Sequence, residues 1–175
     1  MRVARTVLLA ILVVASAGCA THHRAGTTGF PKGVLAGRRS VGTVAISSAQ
    51  TATESVKIGS AGMGRSLHGN LSQWTDAAIE LLAEKLTESG MTVSDASSRK
   101  LTLAITDARM SSAGGGWGFK CAVTLSVEGA NGLQAKFVGE RGSWEYIHVC
   151  DAGISEAVAN MLRDETVLAY LGYRS

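Results

Sequence analysis

Trp74, Ala77, Ala78, Leu81, Leu82 and Leu86 recur at steps of three and four residues, with Asp76, Glu80, Glu84 and Glu88 on the other faces. That spacing predicts a helix with one apolar stripe. Ser72 suits the N-cap and Gly90 the left-handed position that ends a helix, with a short strand expected over 91–94. The period then changes to two. Leu101, Leu103 and Ile105 alternate with Thr102, Ala104 and Thr106, while Phe119, Cys121, Val123, Leu125 and Val127 alternate with Lys120, Thr124, Ser126 and Glu128. Each run predicts a strand that buries one face. Turn chemistry at 129–132 precedes a third strand over about 134–141, giving a meander. Helical spacing returns at Ile154, Ala157, Val158, Met161 and Leu162, behind Asp151 as a cap. Asp164 opens a short last helix with Val167, Leu168 and Leu171, closed near Gly172.

Upstream, the β-branched runs 41–46 and 55–58 predict two short strands joined as a hairpin across the polar stretch 47–53. The Gly-rich stretch 59–70 predicts an ordered loop. One-sided strands and one-sided helices must cover each other, so the fold class is α+β: a two-layer sandwich, a mainly antiparallel sheet with helices on one face. The expected order is β-β-α-β-β-β-β-α-α in a single domain over 41–175. For Cys150 to approach Cys121, the chain must fold back at Gly142 and Ser143.

The first residues follow another logic. An apolar run over 7–17 sits behind Arg2 and Arg5 and ends in Ser16, Ala17, Gly18 and Cys19. This is the plan of a secretory leader, too short for the ~20 residues that span a bilayer. The four closing residues resemble the lipobox of bacterial lipoproteins, with Ser16 where leucine is usual. The resemblance implies a leader over 1–18, acylation of Cys19, attachment to the membrane through lipid and, with Ala20 in place of aspartate, an outer-membrane destination facing the periplasm. Two or more acyl chains anchor a protein stably. Plain secretion after Ala17 or Gly18 is the alternative. Residues 19–40, which contain His22, His23, Pro31, Arg38 and Arg39 and no apolar period, are expected to be the acylated cysteine and a flexible tether.

Two of the 17 basic residues belong to the leader, so against 14 acidic residues the remainder carries almost no net charge. Nucleic-acid binding thus has no electrostatic support. With Cys19 assigned to lipid, Cys121 and Cys150 are left as a pair in a compartment that permits disulfides. A bridge between them is expected, and two separate buried thiols are the alternative.

The predicted helix from Trp74 to Glu88, the corner Ser89-Gly90-Met91-Thr92-Val93, the paired strands, Gly142-Ser143 and the closing segment from Glu156 to Leu171 resemble the YajG-type lipoproteins. A wider likeness is to small α+β auxiliary lipoproteins that assist envelope transport machines. The cysteine pair and the Gly-rich stretch depart from the YajG pattern. The resemblance implies an envelope lipoprotein and brings no catalytic signature.

No Gly-x-Ser-x-Gly turn presents a nucleophilic serine, and no histidine stands in a metal-ligand spacing. His148, Cys150 and Asp151 suggest a Cys-His-Asp set, but a bridged Cys150 is no nucleophile. The adjacent His22 and His23 lack a completed metal shell, so no metal, cofactor or catalytic residue is assigned. Trp117, flanked by glycines over 114–118, is a candidate partner contact at a hairpin tip, with Trp144 and Tyr146 at the same end. The expected function is a non-catalytic, lipid-anchored accessory or binding lipoprotein with an envelope protein partner. The alternative is an envelope hydrolase or small-ligand receptor whose pocket lies between 59–70 and 146–151.

Overall fold

The computed structural model describes residues 20–23, 25–60, 65–113, 118–146 and 148–173 of the 175. Among the described residues, eight strands and three helices follow in the order β1 (Ala20–His23), β2 (Thr43–Ser48), β3 (Ser55–Ser60), β4 (Ser66–Asn70), α1 (Leu71–Glu88), β5 (Thr92–Val93), β6 (Lys100–Ser112), β7 (Phe119–Gly129), β8 (Gln134–Ser143), α2 (Val149–Met161) and α3 (Glu165–Leu171). The fold is α+β, with helices packed on a sheet as the one-sided patterns require.

The larger sheet has the order β5-β2-β6-β7-β8. β6, β7 and β8 form the expected antiparallel meander, whereas β2 lies parallel to both β5 and β6, so the sheet is mixed. Leu101, Leu103 and Ile105 face the core. A bulge between Ile105 and Asp107 then shifts the alternation, so that Ala108 and Met110 keep the buried side. Cys121, Val123, Leu125 and Val127 of β7 complete the buried face, and Thr102, Thr124 and Ser126 look the other way, half-buried.

α1 buries Trp74, Ala78, Leu81, Leu82 and Leu86. Its N-cap is Asn70, two residues before the expected Ser72: the Asn70 side-chain Oδ1 accepts from the N–H groups of Ser72 and Gln73 at 2.9 and 3.1 Å. Gly90 ends the helix as read, with φ at +94°, and the Met91 N–H closes the turn on the Leu86 carbonyl at 3.0 Å. Asp164 and Gly172 bound α3 as expected. Asp151, in contrast, does not cap α2. It lies inside the first turn, after His148.

α2 reaches the sheet so closely that a Cβ on Gly139 of β8 would collide with the backbone of Gly153 and Ala157. Cys121 and Cys150 are bridged, with 5.0 Å between their Cα atoms, tying β7 to α2 across the two layers. β8 continues to Ser143 before the chain turns back, and Cys121 stands opposite Arg141, so the fold-back lands Cys150 beside its partner.

Two expectations about residues 41–70 are corrected. The runs 41–46 and 55–58 do not pair. After β2 the chain stays along β6, with the Ala49 N–H on the Leu103 carbonyl at 2.8 Å and the Gln50 amide on the Ile105 carbonyl at 2.7 Å. β3 is thereby delivered to a second, smaller sheet of order β1-β4-β3. The stretch 59–70 is no loop at its ends: it supplies the close of β3 and all of β4. Ile58 and Leu67 are buried, Gly59 backs onto Met110 and Gly69 onto Trp74.

Nor do residues 20–40 behave as a free tether. β1 joins the small sheet parallel to β4, Phe30, Val34 and Leu35 pack against the core, and the Arg38 guanidinium donates to Glu165 at 2.7 Å. The physical reason is that scattered apolar groups, invisible as a period, each find a place on a domain already assembled. Cys19 lies outside the described residues.

Candidate functional site

All four histidines of the chain, separated by up to 126 positions, gather around β1. Strand geometry sends consecutive side chains to opposite faces, so His22 and His23, adjacent in sequence, do not share a site. His23 turns inward and is 5 % exposed; His22 stays on the exposed side.

The inward group is built on Asp151. Its side chain is 3 % exposed and the carboxylate accepts three hydrogen bonds. His23 Nε2 donates to Oδ1 at 2.7 Å, the Gly26 N–H donates to the same oxygen at 3.0 Å, and His148 Nδ1 donates to Oδ2 at 3.1 Å. Burial pushes the Asp151 carboxyl up, but these donors outweigh it and hold the group below the ordinary carboxylate range. A Cβ on Gly26 would stand 3.3 Å from Oδ2, so the close approach suits glycine. The His23 ring meets Trp74 edge-on at 5.6 Å and the His148 ring at 6.0 Å.

A carboxylate only accepts, so both histidines must present N–H to it. For His148 this leaves Nε2 as the ring's other nitrogen, on a side chain that is 59 % exposed. Asp–His pairs in general bases have this geometry. Among the described residues, however, the only side-chain hydrogen bond of His148 is the one to Asp151, and the neighbouring Cys150 is bridged to Cys121. The Cys-His-Asp set therefore has no thiol. What the geometry offers is proton acceptance at Nε2, without an adjacent nucleophile.

On the other face of β1, His22 stands directly across from His68 of β4, ring centres 5.5 Å apart. Among the described residues no three His, Cys, Asp or Glu side chains converge as a ligand set for a metal ion.

Trp144 is 77 % exposed, as a contact residue must be. Tyr146 instead packs edge-on against Phe119 at 5.3 Å. Its hydroxyl is buried without a hydrogen-bond partner among the described residues, and burial raises its pKa. Trp117 lies outside the described residues. A groove of about 740 Å³ lies elsewhere than between 59–70 and 146–151. It runs between residues 30–39 and the C-terminal end of α1, where the Lys85 ammonium sits 5.5 Å over the Phe30 ring.

The His23–Asp151 contact was out of reach of sequence reasoning, because its partners lie 128 positions apart. The one available signal is a carboxylate beside a cysteine at the start of a helix, which by itself points to a cap. Among the described residues no helix is long and apolar enough to cross a membrane. No protein-family model matches the chain, and no curated protein matches it.

Proposed function

We propose that this protein is a lipid-anchored, non-catalytic accessory or binding lipoprotein of the bacterial cell envelope, held at the outer membrane through Cys19, facing the periplasm and similar in kind to the YajG-type lipoproteins. The observation that carries the reading is the Cys121–Cys150 bridge in a chain that opens with a leader-like segment. Such bridges persist in oxidising compartments, and the leader supplies the route to one. β1 starts at the residue after Cys19, so acyl chains there would hold the domain directly at the headgroups with no linker between. Trp144 is the exposed aromatic available to an envelope protein partner.

Labelled fatty acid, fed to cells expressing the full chain, tests the anchor. Wild type is expected to take up label and fractionate with outer membranes, Cys19→Ser to take up none, and neither to react with a thiol reagent at Cys121 or Cys150 before reduction. A soluble, unlabelled chain that keeps its leader and exposes two free thiols would overturn the reading.

A second reading, an envelope hydrolase or small-ligand receptor, draws on the Asp151–His148 pair with its outward nitrogen. Screening generic ester and amide substrates with wild type and His148→Ala separates the two. Turnover lost in the variant favours the second reading, and no turnover in either favours the first.

A further inference from the structure

We propose that His22 and His68 form a two-histidine site for a divalent transition-metal ion, taking copper(II) more tightly than zinc(II). Parallel pairing of β1 with β4 puts the two residues at the same register position. Their rings lie 5.5 Å apart between centres and are inclined at 44°. Imidazole nitrogens bind such ions at about 2.0–2.1 Å, and one ion shared by two rings leaves their centres roughly 5 Å apart. The observed spacing of the ring centres is therefore close to that of a chelating pair.

Each ring is also hydrogen-bonded at one nitrogen. His22 Nδ1 is 3.2 Å from the Ser55 hydroxyl and His68 Nε2 is 3.0 Å from the Ser66 hydroxyl. With each serine oxygen accepting from its ring, the lone pairs fall on His22 Nε2 and His68 Nδ1. A hydrogen bond at the far nitrogen is the usual device that fixes tautomer and orientation in metal-bound histidine. Lys57 of β3 is paired with His68 on its other side and is exposed; its cation works against tight binding. With two protein ligands the remaining coordination positions belong to water, so the site is an open one for an exchangeable ion. Imidazole suits copper and zinc, and copper(II) binds N-donor sites more tightly in the general affinity order.

Calorimetric titration of the full chain in detergent with copper(II) alone, then zinc(II) alone, tests this. One ion per chain is expected, copper the tighter. The second ring binds intramolecularly, so His22→Ala and His68→Ala should each lower copper affinity about 100-fold. Ser55→Ala and Ser66→Ala should lower it by about tenfold or less. Paramagnetic broadening on wild type provides a readout free of folding artefacts. Substoichiometric copper(II) should broaden the ring signals of His22 and His68 together and leave those of His148 sharp. Affinity unchanged in either histidine variant, zinc tighter than copper, or broadening centred on His148 would each overturn the proposal.

Discussion

His23 and Asp151, 128 positions apart, are joined by a 2.7 Å hydrogen bond in which both side chains are 3 % exposed. The contact fastens the strand that follows Cys19 to the first turn of α2, one residue from the disulfide. It makes the beginning of the described chain part of the domain.

Removing one partner leaves the other buried with a lost bond. His23→Ala is expected to destabilise the protein by about 3 kcal/mol, because a buried carboxylate loses its shortest donor while the Gly26 and His148 bonds remain. Urea unfolding with the disulfide intact measures this. A double-mutant cycle with Asp151→Asn should show strong non-additivity, and additive effects would count against a direct coupling.

The acid side of the stability profile should report Asp151. Its carboxyl is held below the ordinary value in the folded state, so its contribution is fully present above the unfolded value, about 3.9, and is lost as pH falls through the folded one. Between pH 6 and pH 3 the urea midpoint of wild type should fall more steeply than that of Asp151→Asn, which has no carboxyl to protonate at that position.

The clamp between layers has a separate signature. Replacing Cys121 and Cys150 together by alanine opens a cross-link spanning 29 positions, and the chain-entropy model puts the loss at about 3.6 kcal/mol. Thermal unfolding of the double variant should show the drop. If the midpoint does not move, the bridge contributes nothing to holding α2 on the sheet.

Gly139 should tolerate no side chain. The helix backbone occupies the space a Cβ would need, so Gly139→Ala must push α2 off β8 and is expected to cost about 3 kcal/mol. Gly132→Ala, at a turn with open space but a φ of +85°, should cost less, about 1 kcal/mol, from backbone strain alone. Comparing the two by denaturation separates steric from conformational cost.

Local order was legible in the residues themselves. The 3.6-residue period around Trp74 to Leu86, the two-residue period from Leu101 and from Phe119, Gly90, Asp164 and Gly172 all act within a few positions of where they stand, so α1, α3 and the meander could be read without a partner. The cysteine pair was legible because, with Cys19 assigned to lipid, two of the three cysteines remain.

Tertiary structure decided the rest. β1 and β4 are built largely from Ala, His, Ser and Gly, residues with little strand signal of their own, and become strands only because a neighbouring edge satisfies their backbone. β2 lost its expected hairpin partner to β6, a strand more than 50 positions downstream. Asp151 was drawn from capping its own helix to a buried histidine, and the four histidines met only when β4 and a helix end converged on β1. Pairing and burial between distant segments depend on which surfaces the assembled core leaves open, and that information is absent from any short window of residues.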